Sequence, residues 1–244
     1  MTPQVPAPLT PRRALVVGAH PDDIEFGCGA TVARWAAAGT EVHLLVLTDG
    51  SKGTWDPHED VAALVGRRRL EQQAAARALG AVSVEFLDLV DGELESGRAE
   101  RAEVCAVIRR VAPDTLVGHD PWKRYRLHPD HRRAGELVVD GVVAARDPHF
   151  FPERGAPHRP ERLLLFEADQ PDYAEDASSG FDAKVAALLC HRSQWRSTLG
   201  IDAAGPDPEA QHDAFVERIR RDAAEAGAPF GLPRAESFKR LEPL

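Results

Sequence analysis

Two short segments concentrate the residue types that can do metal or acid–base chemistry. One is Ala19-His20-Pro21-Asp22-Asp23, the other His128-Pro129-Asp130-His131. His20, Asp23 and His131 together offer two imidazoles and one carboxylate. Zinc takes this mixture, and three protein ligands leave a fourth position for water, which marks a catalytic rather than a structural site. Zinc lowers the pKa of that water to roughly 7, and the Asp22 carboxylate, next in sequence to a ligand, is placed to take its proton. His128 suits the developing oxyanion or the leaving group. Asp130 is expected to orient His128, as outer-shell carboxylates do. The chemistry is hydrolysis of an amide or ester. Iron(II) or cobalt(II) also suits such a donor set.

The elements around these segments decide whether they can meet. Ala14–Val17 and Val42–Thr48 are continuous apolar runs, the pattern of strands buried on both faces. Val84–Leu89, Thr115–Gly118 and Arg162–Glu167 read as three more strands. Helical composition covers Gly29–Ala38, Val61–Leu79, Arg98–Val111, Pro129–Ala145, Asp182–His191 and Pro208–Ala226. Proline at 129 suits a first helical position, which puts His131 in the first turn. Strand and helix alternate, so the expected fold is α/β: a Rossmann-like, doubly wound, mainly parallel sheet with helices on both faces. In such a sheet of order 3-2-1-4-5, ligands bind beyond the carboxyl ends of strands one and four. His20 follows the first of these strands and His128 the fourth. Alone, each segment is as readily a turn or an ordinary helix start; together, each after the appropriate strand, they point to a metal site. Residues 146–160, 168–180 and 200–207 read as loops. Residues 1–11, with four prolines in polar company, read as a disordered arm before a single domain over 12–244.

Composition narrows the partners. The chain has 244 residues, 30 basic and 39 acidic, for a net charge of −9. That balance speaks against a nucleic-acid or anionic-membrane surface. No apolar run reaches the ~20 residues of a membrane span, and no apolar segment precedes Arg12, so neither signal peptide nor anchor is expected. The three cysteines, at 28, 105 and 190, form neither a disulfide scaffold nor a CxxC knuckle, which suits a reducing cytoplasm. A homo-oligomer is compatible with all of this.

The run AHPDDIEFGCGATVARWAAAGTEVHLLVLTDG, with HPDHR later, resembles the LmbE-like zinc deacetylases, also called the PIG-L family. The resemblance extends from about Arg12 to about Trp195. It implies a zinc ion on His20, Asp23 and His131, Asp22 as general base, and His128 as a second catalytic histidine paired with Asp130. It also implies that Arg68, in Arg68-Arg69-Leu70-Glu71, contacts substrate, and that Asp49-Gly50-Ser51-Lys52-Gly53 is the family's loop after strand two. Members remove an N-acetyl group, usually from a glucosamine. The expected activity is therefore N-deacetylation of an N-acetylglucosamine-type sugar or glycoconjugate. An amidase for a thiol-conjugate or other acylated amino-sugar glycoside and a catalytically idle sugar-binding relative are the alternatives.

Other residues weigh less. Arg68 would bind sugar hydroxyls or a phosphate through its directional donors. Lys52 leaves a strand's carboxyl end and tilts toward the pocket. His119 and Asp120 either line the sugar site or shape the loop to His128. Asp91-Gly92 reads as a turn. His43, His149, His158, His191 and His212 carry no spacing signal. A dinucleotide site is disfavoured, because His20-Pro21-Asp22-Asp23 occupies the turn that a glycine-rich fingerprint needs, and its carboxylates would repel a pyrophosphate.

Overall fold

The computed structural model describes residues 8–244. Strands β1 (Arg13–Gly18), β2 (Glu41–Thr48), β3 (Ser83–Leu89), β4 (Thr115–His119) and β5 (Arg162–Phe166) pair in parallel. Two further strands, β6 (Tyr173–Asp176) and β7 (Ala235–Leu241), add antiparallel to β5, giving the order β3-β2-β1-β4-β5-β7-β6. The five parallel strands match expectation, and the fold is α/β with a mostly parallel sheet. The stretch 168–180, read as a loop, instead contains β6, and the C-terminal tail supplies β7.

The apolar runs are continuous because both faces are covered. Leu15 and Val17 of β1 face a core shared with α3 (Arg98–Val111) and α4 (Pro129–Arg146). Ala14 and Val16, the alternate residues, face α1 (Asp23–Ala37), α2 (Val61–Ala78) and α5 (Phe181–Leu189). Period-two alternation thus sends successive side chains into two different cores. A third cluster joins α5 to α6 (Pro208–Gly227) through Phe181, Leu188, Phe215 and Ile219.

Helix α1 begins at Asp23, six residues before its expected start, so Asp23 is already a helical residue. The helix breaks at Cys28 (φ −153, ψ 25). The Glu236 carboxylate of β7 accepts from the N–H groups of Ala30 and Thr31 beyond the break, at 3.0 and 2.7 Å. The second half of α1 is therefore capped by a distant strand. The expected arm falls mainly on residues 1–7, outside those described. Its last residues do not behave as an arm: Leu9 N–H is within 3.2 Å of Tyr173 Oη and Glu175 Oε1, and Pro11 is buried, its carbonyl accepting from Thr40 Oγ1.

The loop 146–160 is organised by one buried cation. Arg109 of α3 donates to six carbonyls: Ala144, Ala145, Asp147, Phe150, Phe151 and Gly155, at 2.7–3.2 Å. Leucine cannot satisfy these acceptors. Arg109→Leu is expected to cost about 3–5 kcal/mol, because several buried carbonyls lose a charged donor together. Thermal unfolding followed by circular dichroism should show a melting temperature lowered by roughly 10 °C. An unchanged melting temperature would mean that water replaces the guanidinium without cost.

Candidate active site

β1 and β4 lie side by side at the centre of the sheet, so the turn after β1 and the loop after β4 open onto one crevice. The structure brings His20, Asp23 and His131 together there. His20 Nδ1 lies 3.2 Å from Asp23 Oδ2 and 3.2 Å from His131 Nε2, and His131 Nε2 lies 3.3 Å from Asp23 Oδ1. Donors bound to a tetrahedral zinc at ~2.0–2.1 Å are about 3.3 Å apart, and the three residues form a triangle with sides of that spacing, His20 approaching Asp23 through Oδ2 and His131 through Oδ1. Asp23 and His131 are in the charge states that ligation needs, whereas His20, raised well above its ordinary value, must give up a proton to bind a metal. Although burial opposes ionisation of Asp23, His131 and His119 hold its carboxyl well below the usual range. Burial lowers the His131 imidazole to about 4, which keeps it neutral.

Each donor is braced from behind. His20 Nε2 is 3.1 Å from both Asp91 Oδ1 and Asp130 Oδ2. Asp130 was expected beside His128; instead it supports the metal-side histidine, and it also accepts from Gly92 N–H at 2.6 Å and Leu94 N–H at 3.3 Å. The cause is helical geometry. Residues two apart point to different sides of a helix, whereas His128 and His131, three apart, share a side, their ring centroids 5.1 Å apart. Asp130→Ala should therefore weaken metal affinity about 10–100-fold, read by competition with a chelator. Unaltered affinity would mean that Asp91 alone fixes His20.

His119 was read as lining the sugar site or shaping the loop to His128. It is buried beneath Asp23, with Nε2 3.3 Å from Asp23 Oδ2 and Nδ1 3.5 Å from Glu167 Oε2, and does not line the cavity onto which His20, Asp23 and His131 open. Glu167 in turn pairs with Arg126 at 2.8 Å. Arg126 Nε reaches His131 Nδ1 at 3.0 Å. Arginine only donates, so Nδ1 accepts and Nε2 carries the ring proton here. Ligation exchanges those roles, and Glu167 Oε2, 3.9 Å from Nδ1, is then an available acceptor. Asp120, the other residue given that reading, opens instead onto a neighbouring cavity of about 360 Å³ with Trp122, Asp169 and Lys239.

Asp22 sits beside the triangle in a left-handed backbone conformation, φ 104 and ψ −23. For a non-glycine residue this costs on the order of 1–3 kcal/mol, a strain typical of functional sites. Its Oδ2 lies 3.3 Å from Arg68 Nη2. Arg68 also donates to Pro21 O at 2.6 Å and Gly50 O at 2.9 Å. The guanidinium fits because residues 50 and 53 are both glycine: a Cβ would lie 2.6 Å from Arg68 Nη1 at the first and 2.3 Å at the second. Burial raises the Asp22 carboxyl to about 6, against the opposing pull of Arg68.

These groups line a cavity of about 480 Å³ together with Lys52, His128 and Gln194. Its wall is completed by Arg218, Ile219 and Asp222 from α6. His128 caps α4, and burial lowers its imidazole below the ordinary value, so it presents a neutral ring. Lys52 borders the cavity, but its ammonium is engaged by Asp91 O and by Glu93 Oε1. Sequence reasoning missed Asp91, Glu167 and Gln72. Two of them follow strands β3 and β5 at their carboxyl ends, the same signal that located His20. Gln72 lies one helical turn after Arg68.

A profile of the PIG-L family, described as GlcNAc-PI de-N-acetylase, matches residues 15–142, more than half of the chain. The chain belongs to the PIG-L family. Among this PIG-L member's relatives, the diacetylchitobiose deacetylase of Thermococcus kodakarensis is 35% identical over 75% of this chain and 70% of its own length. The structure of N,N'-diacetylchitobiose deacetylase from Pyrococcus horikoshii superposes with a TM-score of 0.83 at 28% identity, covering 95% of this chain and 84% of that one. The family fold also carries other chemistry. The 4-carboxy-2-hydroxymuconate hydratase of Pseudomonas putida superposes with a TM-score of 0.73 at 26% identity, covering 96% of this chain and 97% of that one. Helix α6 lies outside the 15–142 match, so the PIG-L profile says nothing of that wall of the cavity.

Proposed function

We propose that this protein is a zinc-dependent N-deacetylase of an N-acetylglucosamine-type sugar or glycoconjugate. The observation that carries the reading is the buried Asp22 carboxylate beside a triangle of three side chains at tetrahedral spacing, all on one cavity. A divalent metal on His20, Asp23 and His131 supplies an acidified water and a polarised acyl oxygen. Asp22 Oδ2 is taken by Arg68, which leaves Oδ1 to accept the proton of the attacking water. Neutral His128, on the same cavity wall, donates to the acyl oxygen as it gains charge. The departing nitrogen takes the proton that Asp22 has received from the water, which returns Asp22 to the carboxylate.

Of the cations on this cavity, Arg68 is paired with Asp22, Arg126 with Glu167 and Lys52 with Glu93, whereas Arg218 donates, among the described residues, only to the carbonyls of Thr198 and Leu199. Charge alone therefore does not separate a neutral sugar from a carboxylate-bearing ligand, and the similarity to the diacetylchitobiose deacetylases supports the deacetylase. No helix among the described residues is long and apolar enough to cross a membrane. With the acidic net charge, this fits a cytoplasmic enzyme of small amino-sugar substrates.

The test is a substrate panel. Acetate and a free amine should appear from N-acetylglucosamine glycosides, with no turnover of 4-carboxy-2-hydroxymuconate. Hydration of the muconate without acetate release would replace this reading with the hydratase.

A further inference from the structure

Asp22 is held in its left-handed conformation from outside itself. Its side chain makes no capping bond to α1. Its backbone N–H instead donates to Gln72 Oε1 at 2.9 Å. The other end of that amide, Nε2, donates to Glu25 Oε1 at 2.7 Å. Gln72 and Glu25 are both fully buried, and neither lines the cavity. Glu25 Oε2 has no hydrogen-bond partner, and His191 Nε2, also fully buried, lies 3.5 Å away.

This layer has a direction. An amide offers an acceptor at one end and donors at the other, and a backbone N–H only donates. The Asp22 N–H on one side and the accepting Glu25 Oε1 on the other therefore fix which way Gln72 points: Oε1 toward Asp22, Nε2 toward Glu25. Reversed, the amide would set its NH₂ against the Asp22 N–H, and both would be unsatisfied. Buried polar groups are costly unless paired, so three of them behind one backbone amide need a reason. Helix α2 thereby grips Asp22 at two points one turn apart, Arg68 on the carboxylate and Gln72 on the main chain.

We infer that Gln72, oriented by Glu25, is a positioning residue that holds the Asp22 backbone left-handed and so keeps its carboxylate beside the metal-binding triangle. The inference rests on the reading of Asp22 as the proton acceptor. It does not make Gln72 a catalytic residue, since its side-chain amide bonds Asp22 and Glu25 and does not line the cavity.

Gln72→Met keeps the length and removes the amide. Its kcat for acetate release should fall about 10–100-fold, with KM within threefold of wild type and one metal still bound per chain. In an Asp22→Asn background the same substitution should change kcat less than threefold, because residues acting as a unit are not additive. A crystal structure of Gln72→Met should show Asp22 outside the left-handed region. A kcat within twofold of wild type, an equal loss in both backgrounds, or an unmoved Asp22 would each overturn the inference. Should Gln72→Met not fold, the Glu25 pair decides. Glu25→Gln, which still offers a carbonyl to Gln72, should recover at least a third of the turnover that Glu25→Met loses; equal losses would refute the orienting role. If the wild type releases no acetate, the proton-acceptor reading fails, and the crystallographic comparison still decides whether Gln72 sets the Asp22 backbone.

Discussion

Asp22→Asn is expected to lower kcat for acetate release by about 10²–10⁴-fold while one metal per chain remains bound. The amide keeps the shape of the side chain and a carbonyl oxygen for Arg68, which is 3.3 Å away. It cannot take a proton. None of the three closely spaced donors belongs to Asp22, so the metal should stay. KM should shift little, because the substitution removes an interaction that matters only as the water is deprotonated. Steady-state kinetics with metal analysis on the same preparation separates the outcomes. Wild-type turnover by Asp22→Asn would remove Asp22 from the chemistry.

His20→Ala is expected to lose both metal and activity. His20 Nδ1 is one corner of the triangle, and His20 Nε2 is the common partner of Asp91 and Asp130. Burial opposes a charge on this imidazole, yet its hydrogen bonds to the accepting carboxylates of Asp130 and Asp23 more than offset it and raise His20 well above its ordinary value. Removing the ring leaves two buried carboxylates facing an empty space, so the melting temperature should fall as well. Metal content near zero with acetate release below detection is the expected result. A His20→Ala protein that still binds one equivalent of metal would mean that the ion sits on another donor group.

The sequence announced the core of this arrangement because it is local. His20, Asp22 and Asp23 share one turn, His128 and His131 one helical face, and strand alternation placed both at the same crevice. The supporting residues were harder to see. Asp91 sits in a dipeptide that reads as a turn, and Gly92 does adopt positive φ there, but the Asp91 side chain reaches a histidine 71 positions away. Asp130 was assigned to the wrong histidine because nearness in sequence was taken for nearness in space. Strand β6 is four residues long, too short for an alternation signal, and its pairing with β7 spans some 60 residues of chain. Glu25 and Gln72 were invisible as a pair because their contact joins two helices, and only the folded chain shows that both point behind Asp22.

The most direct test of metal-dependent deacetylation is a metal titration of chelator-stripped protein, with acetate release from an N-acetylglucosamine glycoside as the readout. The account predicts no release without metal and a linear rise that saturates at one equivalent of zinc per chain. Full activity in the stripped protein, or saturation of binding with no acetate released, would contradict it.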